Sequence, residues 1–429
     1  MGAFDALAER WAGIDAPCLV GDGEAIRFAE IRAAAADLSA VRAGDVVALI
    51  GDFDPVSIAS FLQLVDRAAI VVPLTAETRA SHDAFFEAAG VDLVVEGGTL
   101  RRLRESRDPH PLLAELRRRG HPGLVLFSSG TTGAPKAILH DFSAFLARYH
   151  TPRPTLRTLS FLLFDHIGGI NTLLHTLFNG GTVISTRDRS IANVLEMLAA
   201  HAVELLPTTP TFLRMMLLSG MVPERVPDCL RIVTYGTERM DQPTLSALCA
   251  ALPAVDFRQT YGMSELGIVR VKSEARDSLF MKVGGEGIET RVEDGILKIR
   301  SANRMLGYLN APSPFDAEGW YDTRDRVEVK GDHLRITGRD SDVINVGGLK
   351  FMAADVERAA LEIPGVRFAK AVARANPITG QHVVLEVEPE RELAAAEVKA
   401  ALKAALPAHM VPSRVRIAKV GYGHRFKRL

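Results

Sequence analysis

The chain has 429 residues, more than a single hydrophobic core usually organises, so two or more domains are expected. Its 51 basic and 52 acidic residues leave a formal net charge of −1, which gives no general attraction to nucleic acid or to an anionic membrane. Three cysteines, an odd number, favour reduced thiols and a cytoplasmic location over a disulfide framework. Residues 161–184 form the most apolar long segment and contain too many polar groups to span a bilayer.

The first third of the chain alternates strand-like apolar runs with segments rich in alanine and leucine. Predicted strands cover residues 46–50, 69–74 and 91–95, and predicted helices cover 33–36, 56–66 and 81–89. This β-α-β order indicates parallel sheets that are covered by helices.

A short polar loop follows the predicted strand 123–127 and contains two serines, two threonines, two glycines and a lysine. Its residues are Ser128, Ser129, Gly130, Thr131, Thr132, Gly133 and Lys136. Glycines let backbone N–H groups turn toward an anion, while hydroxyls and a lysine add donors and charge. The spacing differs from that of a Walker A loop. The pattern predicts phosphate binding.

The alternation resumes at residues 181–184 and 191–200, and the pattern then changes. From Gly267 onward, short strands separated by Gly/Asp turns predict an antiparallel region. The last 90 residues or so have the mixed pattern of a small α+β domain. We therefore predict an α/β protein with domains at residues 1–338 and 339–429. The large domain would combine parallel sheets, covering helices and a β-rich subdomain.

Four ordered segments carry a resemblance to a known family: 128–136, 259–265, 320–325 and 338–348. They resemble the phosphate loop, the Y-G-x-T-E motif, the W-[YF]-x-T-G-D motif and the hinge motif of the AMP-forming adenylating superfamily. That superfamily includes acyl-CoA synthetases, carrier-protein adenylation domains and luciferases. The chain departs from the usual motifs at four positions, which are Ser264, Arg324, Ser341 and Asn345.

The resemblance implies ATP-dependent activation of a small carboxylic acid to an acyl-adenylate, followed by thioester formation with CoA. AMP and pyrophosphate would be released, and ATP, Mg²⁺ and CoA would be required. The small domain would be mobile and would rotate about a hinge near Ser341. The chain looks short for the family in the part before the phosphate loop.

The resemblance also implies roles for individual residues. Glu265 would contact Mg²⁺, which binds hard oxygen ligands, and Asp325 and Arg339 would bind the ribose. His166 would lie near the carboxylate and the pantetheine entry. The residues implied to surround the phosphates and the adenine, besides the loop, are Gly236, Thr237, Glu238, Tyr261, Gly262 and Ser264.

The catalytic lysine of the superfamily lies near the C-terminus, where two alignments of the tail 420–429 compete. One places Lys427 in the catalytic position, and the other places Arg425 there. We favour Lys427, because a long lysine delivers a mobile point charge to the α-phosphate whereas arginine presents a planar fork. A basic tail without a catalytic role is the third alternative.

Two other functions remain open at this level. The pair Phe164-Asp165 resembles the one with which amino-acid-activating domains meet an α-ammonium group. It keeps open a freestanding enzyme that loads an acyl or aminoacyl group onto a carrier protein's phosphopantetheine. The altered Arg324 and the uncertain lysine position keep open a non-catalytic nucleotide-binding protein. The sequence also leaves open whether the chain forms a homodimer.

Overall fold

The computed structural model describes residues 2–21, 23–104, 110–128, 135–149, 151, 153–267 and 269–419. The α-helices are α1 Ala3–Trp11, α2 Phe28–Ala33, α3 Pro55–Asp66, α4 His82–Ala89, α5 Pro111–Arg119, α6 Phe142–Ala147, α7 Ile167–Phe178, α8 Ile191–Ala200, α9 Pro210–Leu218, α10 Val222–Arg225, α11 Gln242–Ala251, α12 Ala353–Leu361 and α13 Ala395–Ala405. Short 3₁₀ helices lie at Ala76–Ser81, Ser264–Leu266, Asp340–Asp342 and Ala408–Met410.

The strands form four sheets. In chain order they are β1 Leu19–Gly21, β2 Glu24–Ile26, β3 Val46–Ile50, β4 Ile70–Leu74, β5 Leu93–Glu96, β6 Thr99–Arg102, β7 Gly123–Ser128, β8 Lys136–Asp141, β9 Thr158–Leu159, β10 Val183–Ser185, β11 Leu205–Thr208, β12 Ile232–Tyr235, β13 Asp256–Gln259, β14 Val271–Ser273, β15 Met281–Val283, β16 Ile288–Glu293, β17 Ile296–Ser301, β18 Gly307–Tyr308, β19 Tyr321–Lys330, β20 His333–Arg339, β21 Val343–Val346, β22 Leu349–Met352, β23 Val366–Asn376, β24 Gly380–Pro389 and β25 Arg414–Ile417.

The first two sheets are mainly parallel. One has the order β13-β12-β11-β9-β10-β1-β2, with only β2 antiparallel to its neighbour. The other has the order β18-β8-β7-β4-β3-β5-β6, in which β7, β4, β3 and β5 pair in parallel. Helices cover both faces of the second sheet, because alternate residues of β3 belong to two different core clusters. This burial on both faces explains why its strands are continuous apolar runs.

The third and fourth sheets are mainly antiparallel. The third has the order β14-β15-β20-β19-β17-β16. The fourth has the order β22-β21-β24-β23, with β25 added in parallel beside β24. Residues of the fourth sheet, α12 and α13 share a core cluster of their own. The predicted α/β fold class, with a β-rich subdomain and an α+β C-terminal part, is confirmed by this architecture, while the boundary at 338/339 stays a prediction.

The predicted elements agree with the structure, to within two residues at their ends, except at the alanine run 33–36. This run was expected to be helical, but α2 ends at Ala33. Phe28 and Ile31 are the buried residues of this short helix, and the chain then turns so that Leu38 and Val41 enter the same core. Core packing overrides helix propensity here.

Among the described residues, no helix is both long and apolar enough to span a membrane. The three cysteines are free thiols, and burial raises the pKa of Cys18 to about 12.

Candidate functional site

Glu265 lies in a short turn that the end of β17 and the residues after it hold in place. The 3₁₀ helix Ser264–Leu266 follows β13, and Glu265 is buried. The backbone carbonyl of Glu265 accepts from the Met305 N–H at 2.8 Å, and that of Leu266 accepts from the Ser301 hydroxyl at 3.1 Å. These bonds fix the turn against the segment between β17 and β18.

The Glu265 side chain is oriented by Tyr308. The Tyr308 hydroxyl donates to Glu265 Oε1 at 2.8 Å, and the Lys136 ammonium lies 5.0 Å from the centroid of the same tyrosine ring. Tyr308 pairs with Ile138 in the ladder between β18 and β8. The structure therefore brings Glu265 and Lys136, which are distant in the sequence, to the same tyrosine side chain. Burial and the Glu265 charge raise the pKa of Tyr308, which keeps its hydroxyl a donor.

The donor set at Glu265 fits a magnesium ion that brings its own phosphate ligands. Oε1 is occupied by Tyr308, while Oε2 has no protein partner among the described residues. Mg²⁺ usually takes one or two carboxylates and completes its shell with water and substrate phosphate. The described part of the chain contains no group of three acidic, histidine or cysteine side chains that could hold a metal alone. One free carboxylate oxygen is what such a shared site requires.

A second buried carboxylate, Asp325, lies on β19. The Tyr261 hydroxyl donates to Asp325 Oδ2 at 2.7 Å, and Arg339 Nε lies 3.6 Å from Oδ1. Asp325 and Arg339 are also paired in the ladder between β19 and β20. Burial raises the pKa of Asp325, and the Tyr261 hydrogen bond and the Arg339 charge oppose this rise. The three predicted nucleotide-binding residues Tyr261, Asp325 and Arg339 therefore form one contact group.

Two residues near the site have backbone torsion angles in the left-handed region of φ/ψ space. Arg324, where the superfamily motif has glycine, has φ 57°, and Thr237 has φ 71°. Neither residue type adopts this region without strain, and threonine is β-branched. Such strain is typical of functional turns. The departure at Arg324 therefore falls at a position where the backbone favours glycine.

The turn after β12 requires a close approach that only glycine permits. A Cβ on Gly236 would lie 2.1 Å from the Thr260 hydroxyl and 2.7 Å from the Thr260 carbonyl. Beyond it, Glu238 Oε1 accepts from the Thr211 N–H at 2.7 Å, at the start of α9. Glu238, predicted on the adenine side, therefore binds a helix N-terminus and does not line the cavity described next.

A cavity of about 270 Å³ lies between α7 and the carboxyl ends of β11 and β12. Carboxyl ends of parallel strands are the usual position of ligand sites in α/β sheets. The lining is mostly apolar, with a row of threonines and two histidines. The predicted site residues that line it are His166, Gly236, Thr237, Tyr261 and Gly262.

His166 serves as the N-cap of α7. Its Nδ1 accepts from the Gly168 N–H at 3.0 Å, and both residues line the cavity. By contrast, Asp165 is buried and is not among the residues that line the cavity. The described cavity is therefore lined by His166 but not by the neighbouring carboxylate.

Several predictions fall outside the described residues. These are Ser129, Gly130, Thr131, Thr132 and Gly133 of the loop, and Arg425 and Lys427 of the tail. The two ends of the loop are described: Ser128 and Lys136 are paired across the β7–β8 ladder. Ser264 is adjacent to Glu265 in the same 3₁₀ turn.

Tyr308 and His140 were missed at the sequence level. Tyr308 belongs to a strand of two residues, too short to leave a periodic pattern. His140 lies inside an apolar strand and contacts the Ser264 backbone, and burial lowers its pKa to about 4. A histidine within a fully buried strand was the only available signal.

A family model described as AMP-binding enzyme matches residues 5–309. The chain belongs to the AMP-binding enzyme family. The superfamily predicted from the four motifs is therefore confirmed.

Relatives within the AMP-binding family have named activities. A salicylyl-CoA synthase / salicylate adenylyltransferase of Streptomyces sp is 31% identical over 358 residues, which is 73% of this chain and 64% of the relative. The medium/long-chain-fatty-acid–[acyl-carrier-protein] ligase FadD10 of Mycobacterium tuberculosis is 27% identical over 385 residues, covering 80% of this chain and 70% of the relative. The chain thus spans less than two thirds of the first relative.

Solved structures share the fold. The anthranilate CoA ligase AuaEII in complex with anthranoyl-AMP gives a TM-score of 0.83 at 17% identity, covering 100% of this chain and 95% of that one. The o-succinylbenzoate CoA synthetase MenE of Bacillus subtilis, in complex with its acyl-adenylate OSB-AMP, gives 0.75 at 20% identity, covering 98% and 95%.

Proposed function

We propose that this protein uses ATP to convert a carboxylic acid to an acyl-adenylate and then transfers the acyl group to the thiol of CoA. The observation that carries the proposal is the contact group of Tyr261, Asp325 and Arg339, because Tyr261 joins it directly to the cavity. Tyr261 then belongs both to the proposed nucleotide-binding group and to the lining of the mostly apolar cavity. That arrangement suits the joining of a nucleotide to an organic acid.

The described residues supply the means to hold ATP. Asp325 can accept two hydrogen bonds from the ribose diol. The Arg339 guanidinium lies beside one oxygen of this carboxylate. Lys136 and Ser128, at the ends of the phosphate loop, add a cation and a hydroxyl. The carboxylate of the acid would attack the α-phosphorus, and pyrophosphate would leave.

Glu265 would hold the magnesium ion through Oε2, while Tyr308 keeps Oε1 in place. The ion, when bound, neutralises phosphate charge as pyrophosphate departs. At Gly236 the backbone passes close to Thr260, and Thr237 has a strained backbone conformation. This turn would place backbone groups against the nucleotide. His166 and the first turn of α7 would face the carboxylate of the acid.

The similarity to salicylyl-CoA synthase supports CoA as the acceptor of the acyl group. The similarity to FadD10 favours a second candidate, an acyl carrier protein, whose phosphopantetheine presents the same thiol. An aminoacyl substrate is less well supported, since Asp165 does not line the described cavity. The two acceptors differ in size and charge, so a direct comparison of their rates decides between them.

We further propose that residues 339–429 move as a unit about Ser341. Ser341 lies in the 3₁₀ helix Asp340–Asp342, between β20 and β21. Arg214 donates to the carbonyls of Val366 and Arg367, and Arg239 lies 3.4 Å from Glu357. Polar contacts of this kind across the boundary can be exchanged at modest cost. Ser341→Pro should leave adenylation mostly intact and impair thioester formation, since proline restricts the backbone of a hinge.

The experiment that tests the proposed function is pyrophosphate release across a panel of carboxylic acids, with hydroxylamine to trap acyl-adenylate. CoA or a phosphopantetheinylated carrier protein is then added to the active acids. Turnover with at least one acid supports the proposal, and ATP binding without turnover across the panel favours the non-catalytic alternative. Homodimer formation is a separate question that sedimentation would answer.

The same assay distinguishes the two cations of the tail. Lys427→Ala should lower adenylation by about 100-fold or more, the loss expected for a transition-state charge contact, while thioester formation from preformed acyl-adenylate should persist. Arg425→Ala should cost less. The reverse order would assign the position to Arg425, and small effects of both would assign the tail a structural role.

A further inference from the structure

The cavity has two ends, and α7 connects them. Parallel strands β9 and β10 are neighbours in the sheet, and α7 is the crossover between them, so it runs antiparallel to both. Its N-terminus therefore lies at the carboxyl edge of the sheet, beside the nucleotide-binding residues. Its later turns lie toward the amino edge, where Thr158 and Leu205 begin β9 and β11 and pair with each other. These two residues also line the cavity.

One face of α7 borders the cavity along most of its length. Gly168, Asn171, Thr172, His175 and Thr176 line it, at the helical spacing of one face. At 1.5 Å per residue, His175 lies about 10 Å along the axis from Gly168. The distal end of the cavity, defined here by Asn171, His175 and Thr158, is thus well separated from the end at which the carboxylate would react.

Asn171 offers hydrogen-bond donors at this distal end. The Tyr149 hydroxyl donates to Asn171 Oδ1 at 2.9 Å, which fixes the amide orientation. The Asn171 Nδ2 group then has no acceptor among the described residues.

His175 offers a second donor. The backbone N–H of Arg153 donates to Asn179 Oδ1 at 2.6 Å, and the Asn179 Nδ2 group donates to the His175 carbonyl at 2.7 Å. The same Nδ2 group lies 3.4 Å from His175 Nδ1, and in the tautomer in which Nδ1 accepts from it the ring proton is on Nε2. Within the described residues Nε2 has no partner.

Three arginines lie near the distal end without lining the cavity. Arg148 precedes Tyr149, Arg153 contacts Asn179, and Arg270 follows the cavity residue Val269. Burial and the charges of Arg153 and Arg148 lower the pKa of His175, and the pKa of Arg148 is lowered by burial and by the charges of Arg153 and Arg270. No described carboxylate forms an ion pair with any of the three guanidinium groups. Arg148 is partly buried, so an anionic ligand would offset the cost of its unpaired charge, while the exposed Arg153 and Arg270 would add to the positive field.

The carboxylate of Glu204, which precedes the cavity residue Leu205, is bound elsewhere. It accepts from the Arg157 N–H at 3.0 Å and lies 3.5 Å from Arg231. The distal end therefore combines donors and positive charge, while other lining residues nearer the reacting end, such as Leu162, Ile167 and Val269, are apolar.

We propose that the distal end of the cavity binds a second anionic group on the substrate, so that the preferred acids are apolar in the middle and anionic at both ends. The inference rests on the proposed function for the identity of the first anionic group, the reacting carboxylate. Asn171 and His175 would donate to the distal anion, and Arg148, Arg153 and Arg270 would supply the favourable field.

The test uses matched trios of acids: a monoacid, the diacid of equal length, and the half-methyl ester of that diacid. Aliphatic and benzene-based trios are assayed for pyrophosphate release with hydroxylamine and without CoA, so that phosphates of CoA cannot occupy the site. The best diacid should exceed its half-ester by about 10-fold or more in kcat/KM, since a site built for a polar group strongly rejects an analogue without it. Equal use of diacid and half-ester in every trio would overturn the inference.

Variants connect the preference to the residues. Arg153→Ala, at an exposed position, and Arg148→Ala should each lower kcat/KM for the diacid by roughly 10-fold and change the monoacid by less than about 2-fold. Asn171→Leu should shift preference toward the monoacid. Arg32→Ala, which removes an exposed arginine of α2, is the control for net charge and should change neither. Unchanged selectivity in both Arg153→Ala and Arg148→Ala would overturn the proposal.

Direct binding separates this inference from the proposed function. Calorimetry of the wild type should show tighter binding of the diacid than of the half-ester, and Arg153→Ala should abolish the difference. Discriminating binding without turnover would support the distal site and overturn the ligase activity. Turnover without a difference in binding would support the ligase activity and overturn the distal site. The absence of turnover and of a binding difference would overturn both proposals.

Discussion

Glu265 and Asp325 are both buried carboxylates that accept a hydrogen bond from a tyrosine, yet their surroundings differ in one respect. The partners of Glu265, Tyr308 and the turn around it, all precede residue 309. Asp325 faces Arg339, the last residue before the 3₁₀ helix that leads to the fourth sheet. A movement of the C-terminal part would alter the charge around Asp325 and leave Glu265 undisturbed. The comparison suggests a fixed metal contact and a ribose contact that responds to domain position.

The largest expected effect comes from removing the Glu265 carboxylate. Glu265→Ala should lower Mg·ATP-dependent pyrophosphate release by about 100-fold or more, as expected when one transition-state contact worth roughly 3 kcal/mol is lost. The measurement is initial rate against Mg²⁺ concentration.

Glu265→Gln sharpens the test, because a glutamine oxygen can still accept from Tyr308 while its charge is gone. A loss as large as that of Glu265→Ala supports a metal contact, whereas near-normal activity would limit Glu265 to positioning Tyr308. Tyr308→Phe should cost less than Glu265→Ala but at least about 10-fold, the lower end of the range for one hydrogen bond to a charged group.

The Glu265 side of the site should also be the acid-labile one, through His140. Its folded pKa is about 4, below the ordinary 6.5, so between these pH values the unfolded chain binds a proton that the folded chain does not. The free energy of unfolding should therefore fall as pH drops through this window, by up to roughly 3 kcal/mol. Denaturant unfolding at several pH values measures the slope.

His140→Gln should flatten that slope between pH 6.5 and 4, while His333→Gln, at a partly exposed position, should leave it unchanged. An unaltered slope in His140→Gln would show that another group causes the acid lability.

At the other carboxylate, Asp325→Asn should separate binding from stability. KM for ATP should rise by roughly 10-fold, because an amide replaces a charged acceptor of ribose hydroxyls. The effect of Asp325→Asn on the free energy of unfolding should differ from its effect on KM. Since the folded pKa of Asp325 is raised, its contribution is present below the unfolded value and is lost as pH rises through the folded value.

The variant should accordingly be as stable as the wild type, or more stable, at pH 7. A clear loss of stability at pH 7 would mean that the Tyr261 and Arg339 contacts outweigh the cost of burying the charge.

The smallest predicted effect concerns Arg324, next to Asp325. Its φ of 57° favours glycine, so Arg324→Gly should raise the free energy of unfolding by up to about 1 kcal/mol. Arg335→Gly, on the neighbouring strand β20 and outside the left-handed region, is the control and should destabilise. Equal loss in both variants would show that the Arg324 side chain contributes more than its backbone costs.

The sequence by itself determined the family, the fold class and the residue types of the site. Apolar runs such as 46–50 and 69–74 predicted parallel strands because burial on both faces leaves no room for polar side chains. The resemblance of the motifs to the superfamily singled out Glu265, Asp325 and Arg339 as candidates. The helix prediction at 33–36 was wrong, since local propensity carries no information about where Leu38 and Val41 must pack.

Only the tertiary structure decided which groups meet. Tyr308 reaches Glu265 across 43 residues, and Tyr261 reaches Asp325 across 64, through turns and ladders that no local pattern specifies. The donors at the distal end of the cavity likewise both come from α7, and Tyr149 orients Asn171 while Asn179 contacts His175. Hydrogen-bond direction and burial are properties of the packed chain, because they depend on where distant segments come into contact.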